Sequence, residues 1–259
     1  MAEYLMELKN ITKRFGGVTA VEDFSMNLNK GELLGLIGPN GAGKTTTFNL
    51  ISGSLPVTDG DIFFMNKNIT KLSADEVANS GISRTFQNIR LMPGLTIAEN
   101  MRMAFHIRDD YNVLDTIIRN KKFIEAENSY NDEINDMLKH FSILKFRDEL
   151  VDELPPGIQR KVDIARSLLL NPTVALLDEP TAGMNPNETD ELVEIIKWVN
   201  KDLGVSTILV EHDMRVIMNI CDRIIVMDQG DIIAQGLPEE IQTNDKVIEA
   251  YLGKSYQEN

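Results

Sequence analysis

The stretch Gly38–Thr46 (GPNGAGKTT) constrains the chain most, because it matches the phosphate-binding pattern G-x-x-x-x-G-K-[ST] at every required position. The apolar run at 33–37 predicts a buried strand before it, and residues 45–52 predict a helix after it. The glycines of the stretch let consecutive backbone N–H groups turn onto an anion at the helix N-terminus. The sequence therefore predicts a P-loop that binds the phosphates of a nucleotide.

Side chains within this loop have separate predicted roles. Lys44 adds a cation, the hydroxyl of Thr45 coordinates Mg²⁺, and the hydroxyl of Thr46 reaches a phosphate oxygen. The predicted nucleotide-binding residues of the loop are Gly38, Pro39, Asn40, Gly41, Ala42, Gly43, Lys44, Thr45 and Thr46.

Composition limits the classes of function. The length of 259 residues favours one core domain with a sizeable inserted subdomain. A formal net charge of −14 argues against a general nucleic-acid or anionic-lipid surface, because such surfaces bind through Lys and Arg. No apolar run is long enough to span a membrane and no secretory leader is readable, so we expect a cytosolic polypeptide. The single cysteine, Cys221, permits neither an intrachain disulfide nor a cysteine-based metal cluster.

The N-terminal segment has strand-like stretches at 5–8 and 24–28, separated by a predicted turn at 13–17. This pattern predicts a mainly antiparallel β-subdomain. Phe15 lies on the predicted turn and has two open interpretations. It is either a core anchor between the strands or an aromatic face for an adenine ring.

The middle of the chain is predicted to be helical from about 97 to 150, with a break at Leu154–Gly157 before a further helix at 158–170. The capping boxes are Ser73–Glu76 and Thr96–Glu99, and the periodic apolar positions are Ile134, Met137, Leu138 and Phe141. Residues 108–131 predict surface helices whose apolar face either packs internally or meets a partner. Gln87 follows a strand-like stretch at 82–86 and lies in a predicted polar loop. Its position in the sequence does not by itself identify it as a functional residue.

Polar residues follow two predicted buried strands in the second half of the chain. Asp178 and Glu179 follow the apolar run at 174–177, and His212 follows the run at 205–210. Ligands of open parallel sheets bind at the carboxyl ends of strands, so these residues are candidates for the nucleotide site. Given the P-loop, Asp178 is predicted to coordinate Mg²⁺.

With these motifs in this order, the chain resembles the nucleotide-binding subunit of an ABC transporter over roughly residues 5–252. The resemblance implies that Phe15 stacks on adenine, that Gln87 touches Mg²⁺ and the membrane subunit, that Glu179 polarises the attacking water, and that His212 holds the γ-phosphate. Four details are similar to the branch that takes up branched-chain amino acids, namely the segments 84–88, 182–186 and 249–253 and the long helical insertion.

The predicted fold class is α/β, a P-loop NTPase core of the ABC ATPase type with an N-terminal antiparallel β-subdomain and an inserted helical subdomain. We predict one nucleotide-binding domain at 4–253, a helical insertion at 97–170 and a polar tail at 254–259. The resemblance implies an ATPase that uses ATP and Mg²⁺ at the cytoplasmic side of the cell membrane. It also implies permease subunits, a second ATP-binding subunit and, indirectly, a solute-binding protein as partners, with no nucleic acid.

Two departures from the family pattern bear on the mechanism. The family signature runs Leu-Ser-Gly-Gly-Gln, whereas residues 154–158 read LPPGI, which removes a serine hydroxyl and two backbone donors and keeps the amide of Gly157 and the helix dipole. Asn185 stands where the family usually has aspartate. The altered signature favours a paralogue over a second copy as the dimer partner.

Three alternatives remain open. The transported solute could be another one, such as urea or an exported lipid, with every site residue unchanged. A soluble ABC ATPase of translation or DNA repair is disfavoured, because the chain has neither a second such domain nor a long coiled coil. A regulatory binding module with little hydrolysis is motivated by Pro155.

Overall fold

A computed structural model describes residues 4–85, 87, 89–107 and 121–255. The strands are β1 (Met6–Phe15), β2 (Val18–Leu28), β3 (Leu33–Ile37), β4 (Asp59–Phe64), β5 (Lys67–Asn68), β6 (Ile82–Arg84), β7 (Val174–Asp178), β8 (Ser206–Val210), β9 (Arg223–Asp228) and β10 (Asp231–Gly236). The helices are α1 (Lys44–Ile51), α2 (Ala74–Asn79), α3 (Ile97–Arg102), α4 (Lys121–His140), α5 (Pro156–Leu168), α6 (Pro186–Lys201), α7 (Met214–Ile220), α8 (Pro238–Gln242) and α9 (Asp245–Ser255). Of the predicted surface helices at 108–131, the part up to residue 120 lies outside the described residues.

A six-stranded sheet in the order β10-β9-β3-β8-β7-β6 forms the centre of the α/β core. Its strands from β9 to β6 are parallel, and β10 pairs with β9 in an antiparallel hairpin. Every residue of β3, β7 and β8 is buried, as expected for apolar strands covered on both faces. Because β3, β8 and β7 are neighbours, the segments that follow them emerge at one edge of the sheet.

A second, antiparallel sheet has the order β2-β1-β4-β5 and confirms the predicted N-terminal β-subdomain. The predicted turn at 13–17 is wrong in extent, because β1 continues to Phe15, which pairs with Val18. Register shifts along β1 let the strand carry polar residues past the predicted end. Only the two glycines of the turn lie between the strands, and Gly16 has the positive φ of +57° that a tight connection needs.

The two sheets share one apolar core with helix α1. Buried side chains from β1, β2, β3, β7, β8 and β9 belong to it together with Phe48 and Ile51 of α1. Cys221 is buried as a small apolar side chain, and burial raises the pKa of its thiol. None of the helices in the described part of the chain is long and apolar enough to cross a membrane.

The chain divides into two compact units. The first comprises Met1–Arg84, Thr173–Pro180 and Ile196–Asn259, and the second comprises Thr85–Pro172 and Thr181–Ile195. The first unit contains both sheets, and the second contains α3, α4, α5 and the start of α6. The division into one domain at 4–253 with an insertion at 97–170 stays a prediction.

The second unit has its own apolar core. The periodic positions Ile134, Leu138 and Phe141 are buried, and Met137 is half-buried. The rings of Phe105 and Tyr130 stack beside them with centroids 4.3 Å apart. Helix α3 begins at the predicted capping box, in which the N–H of Thr96 donates to Glu99 at 2.8 Å.

Candidate nucleotide site

The P-loop connects β3 to α1, and packing requires two of its glycines, Gly38 and Gly43. A Cβ on Gly38 would lie 2.1 Å from the carbonyl oxygen of Met227, and one on Gly43 would lie 2.6 Å from that of Ala20. Both glycines have positive φ, +153° and +104°. The sequence pattern explains these glycines by close approach to phosphate, and the structure adds close approach to strand β9 and to β2.

The start of α1, which follows the loop, is suited to binding an anion. Gly43 is the N-cap, no side chain caps the helix, and its first turn has no acidic residue. Lys44 is only 6% exposed, and its Nζ donates to the carbonyl oxygens of Gly38 at 2.7 Å and Pro39 at 3.0 Å. The ammonium group is thus held at the loop, and the hydroxyl of Thr45 is exposed at the same helix start.

The carboxylates that follow β7 have different surroundings. Asp178 is 2% exposed and forms an ion pair with Arg84, whose Nη2 lies 3.3 Å from Oδ2. Glu179 has a φ of +47°, and its N–H donates to the carbonyl of Val210 at 2.8 Å. The backbone therefore turns sharply between the two acids.

Glu179 and His212 are joined directly. The Nε2 of His212 lies 2.5 Å from Oε1 of Glu179. A carboxylate can only accept a hydrogen bond, so Nε2 carries the proton. The pair forms because β7 and β8 are adjacent in the sheet and each residue follows its strand. The side chain of His212 is 48% exposed, so it is accessible to a ligand.

Phe15 ends β1 and is 46% exposed, which contradicts its interpretation as a core anchor. The Nζ of Lys13 lies 5.1 Å from the centroid of its ring. The interpretation as an adenine-stacking face stays a prediction.

Gln87 and Gly157 belong to the second unit. Gln87 is exposed, and its carbonyl accepts a hydrogen bond from Nη2 of Arg160 on α5 at 2.5 Å. A second arginine of α5, Arg166, donates to the carbonyl of Arg90 at 2.9 Å. Helix α5 thus fixes the backbone of the loop that carries Gln87.

Gly157 is the second residue of α5, and a carboxylate lies against it. A Cβ on Gly157 would lie 3.1 Å from Oε1 of Glu188, whose Oε2 accepts the N–H of Asn185 at 3.0 Å. Asn185 caps α6 in return by accepting the N–H groups of Asn187 and Glu188. The cap of α6 is therefore also a contact with the start of α5.

Sequence reasoning missed the roles of Arg84 and Arg160 and the contact between Glu188 and Gly157. Only Arg84 carried a readable signal, because a cation in a short strand that is otherwise buried needs a partner.

The hydrogen-bonding groups and the oxygen ligands of the first unit fit a nucleotide with a divalent cation. An uncapped helix N-terminus and Lys44 suit phosphates, and the hydroxyl of Thr45 with the carboxylate of Asp178 are oxygen donors of the kind that Mg²⁺ prefers. In the described part of the chain, no three His, Cys, Asp or Glu side chains are grouped to hold a metal by themselves.

Comparisons with known proteins agree with this geometry. The model of the ABC transporter family matches residues 21–182, and a model of the branched-chain amino acid ATP-binding cassette transporter matches residues 232–256. LivG of Salmonella typhimurium, a high-affinity branched-chain amino acid transport ATP-binding protein, is 37% identical over 98% of this chain and 100% of its own length. LptB of Escherichia coli, the ATP-binding protein of a lipopolysaccharide export system, is 35% identical over 96% of this chain and 97% of its own length.

Solved structures lead to the same family. The ADP conformation of MJ1267, an ATP-binding cassette of an ABC transporter, is similar with a TM-score of 0.83 and 30% identity, covering 96% of this chain and 99% of that one. The P-loop, the two carboxylates and the histidine thus lie in a fold shared with such cassettes. This chain belongs to the ABC transporter family, as one of its ATP-binding subunits.

Proposed function

We propose that this chain hydrolyses ATP in the site built from the P-loop, Asp178, Glu179 and His212, and that hydrolysis drives import of branched-chain or other hydrophobic amino acids. The observation that carries the catalytic part is the hydrogen bond between Glu179 and His212, at the sheet edge where the P-loop begins. The solute is supported by the name of LivG and by the match at residues 232–256.

The chain's own groups divide the work of phosphoryl transfer. The N–H groups at the start of α1 and the ammonium of Lys44 bind and orient the phosphates. Thr45 and Asp178 would hold Mg²⁺, which when bound neutralises charge on the phosphates. Glu179 accepts the proton of the attacking water as general base. In this proposal His212, which donates to Glu179 in the structure, donates to the γ-phosphate instead when ATP is bound.

A second subunit completes the site in this proposal. Gly157 and the start of α5 contribute to the nucleotide of the partner, and the partner's signature contributes to the nucleotide held at Lys44. The loop of Gln87 meets the permease subunits on the cytoplasmic side of the membrane. This arrangement agrees with the family to which the chain belongs.

The test of the catalytic assignment compares Glu179→Gln with Lys44→Ala. Losing a general base slows hydrolysis by about 10²-fold or more and leaves binding intact, so Glu179→Gln should bind ATP normally and turn it over slowly. Lys44→Ala should weaken ATP binding itself. Turnover at the wild-type rate in Glu179→Gln would show that another group is the base.

The solute is tested with the assembled transporter in vesicles. We expect leucine uptake that requires ATP and stops in the Glu179→Gln variant. The similarity to LptB makes lipid export the second candidate. Release of lipopolysaccharide from the vesicles, without leucine uptake, would favour it.

A further inference from the structure

Arg84 is a buried cation that contacts two other elements of the first unit, α1 and β7. It ends β6, and its side chain is 6% exposed. Nη1 donates to Oδ1 of Asn49 at 2.7 Å and to Oγ of Ser52 at 2.9 Å, both associated with α1. Nη2 donates to Oδ2 of Asp178 at 3.3 Å, at the end of β7. The guanidinium carbon lies 5.8 Å from the ring centroid of Phe48.

Strand register explains how these contacts arise. Arg84 of β6 pairs with Leu176 of β7 in the parallel sheet. Asp178 lies two residues further along β7, so its side chain lies on the same face as that of Leu176. The α1 residues that bind Arg84 cover this face. A guanidinium has a planar fork with five donors, so one side chain can serve both α1 and the carboxylate, which an ammonium on a flexible stem cannot do in the same way.

We propose that Arg84 is a positioning residue for the carboxylate of Asp178, which it holds in one orientation relative to α1 for the divalent cation that accompanies the nucleotide. By engaging Oδ2, the guanidinium fixes the plane of the carboxylate. By binding Asn49 and Ser52, it also fixes the distance between β7 and the helix that carries Thr45. The inference rests on the proposed function, because it concerns the same nucleotide site.

Two opposite effects decide the outcome of removing Arg84. A positive charge near Asp178 competes with a metal cation for it, so removal by itself would strengthen metal binding. Without the guanidinium, however, the carboxylate of Asp178 loses the hydrogen bond to Oδ2 that fixes its plane. A metal ligand that is no longer held in one orientation binds the cation more weakly. The positioning role requires the second effect to win.

The experiment measures the affinity of the purified full chain for ADP by calorimetry, once with EDTA and once with excess Mg²⁺. The ratio of the two affinities is the magnesium gain. Because ADP is not hydrolysed, the gain is independent of turnover. We expect Arg84→Met to reduce the magnesium gain by about tenfold, the size expected from one charge-assisted hydrogen bond, with little change in the affinity measured in EDTA. Arg84→Lys should restore little of it, because lysine lacks the fork.

Arg223→Met is the matched control. Arg223 begins β9, is 21% exposed, and its Nε donates to Oε1 of Glu32 at 2.7 Å, so its loss also breaks an ion pair in the same sheet. This variant should unfold at a lower temperature and keep the wild-type magnesium gain. Asn49→Ala removes one contact of Arg84 and should give a smaller loss of the gain if the Arg84 variants fail to fold.

Each outcome decides the inference. An unchanged magnesium gain in Arg84→Met and Asn49→Ala, or a gain that increases, would overturn it. An equal loss in Arg223→Met would show general loosening of the sheet and would overturn it too. If the wild-type chain binds no ADP, the proposed function fails. If it binds ADP with a magnesium gain that Arg84 does not affect, only the positioning role fails.

Discussion

Glu179 has a backbone conformation that is costly for its residue type. Its φ of +47° lies in the left-handed region, which costs a residue with a side chain about 1–2 kcal/mol. Two contacts from the end of β8 hold it there, the carbonyl of Val210 and the ring of His212. Strained residues cluster where a side chain must point in a fixed direction. The backbone therefore supports a functional role for Glu179 independently of the sequence motif.

The first residue-scale prediction concerns His212. We expect His212→Ala to slow ATP hydrolysis by about 10²-fold, because the variant loses the proposed donor to the γ-phosphate in the ATP-bound site. ATP affinity should change little, since the P-loop and Lys44 are untouched. Turnover and affinity are measured on the same preparation. His140→Ala, at the exposed end of α4, is the control and should behave as wild type.

At this scale the sequence predicted the identities of the site residues better than their contacts. Asp178, Glu179 and His212 were found because each follows a buried apolar run. The hydrogen bond between Glu179 and His212 depends on β7 and β8 being neighbours, and that order arises from pairing between segments far apart in the chain. The partner of Asp178 was missed for the same reason, since Arg84 lies 94 residues before it.

Among the secondary-structure elements, α5 and α6 are linked at their starts and one turn further along. Glu188 of α6 lies against Gly157 of α5, and Lys161 of α5 pairs with Glu191 of α6 at 2.6 Å. The segment that carries the signature and the segment that carries Asn185 therefore share contacts within the second unit. A change at the start of one helix is expected to affect the cap of the other.

A double-mutant cycle tests this link. Gly157→Ala should stabilise α5 by about 1 kcal/mol through helix propensity. The new Cβ should also displace the carboxylate of Glu188, and the weaker cap of α6 should cost about 1 kcal/mol. The stability of the single variant should therefore be nearly that of wild type. In the Glu188→Ala background the clash is absent, and the same change should stabilise by about 1 kcal/mol. Urea unfolding of the four proteins gives the coupling energy. Additive effects would show that the contact has no energetic weight.

The capping box of α3 predicts a pH dependence. The N–H and hydroxyl of Thr96 donate to the carboxylate of Glu99 and hold its pKa below the usual range. A lowered folded pKa stabilises the fold above the unfolded pKa, and this stabilisation is lost as pH falls through the folded value. The loss should therefore appear below about pH 4.3. The thermal unfolding temperature of Glu99→Gln should fall less steeply with decreasing pH than that of wild type in this range. A parallel decline of the two unfolding temperatures would contradict the assignment.

Element boundaries were predictable where the apolar pattern was continuous. The run at 33–37 coincides with β3, because all five residues are buried. The hairpin of β1 and β2 was predicted too short, since bulged strands carry polar residues that break the alternating pattern. Helix α3 begins as predicted because Thr96 and Glu99 are close in sequence to the backbone groups they cap. Local chemistry was thus readable, and pairing over long distances was not.

At the scale of the whole molecule, the start of α5 bears on the proposed pairing with a second subunit. Pro155 is the N-cap and Pro156 the first residue of the helix, and neither has a backbone N–H. No side chain caps α5, and the N–H of Ile158 is used by the carbonyl of Pro155 at 3.0 Å. In the proposed pairing, the amide of Gly157 and the helix dipole are therefore the groups that the signature would present to an anion. Compared with the usual family signature, it has lost a hydroxyl.

The last prediction follows from this loss. In the proposed head-to-tail pair, the signature at 154–158 would complete the nucleotide site of the partner, and the partner's own signature would complete the site at Lys44. A hydrogen bond to a charged group contributes about 1.5–3 kcal/mol, so the partner's site should be slower by about tenfold to a hundredfold, and a homodimer would carry the defect twice. We therefore expect a paralogue with a more usual signature as the partner.

In the assembled transporter, Glu179→Gln should abolish most ATP turnover, and the equivalent change in the partner should reduce turnover less. Pro155→Ser should raise turnover. Equal losses from the two glutamate changes, with no gain from Pro155→Ser, would mean that Gly157 and the helix N-terminus suffice.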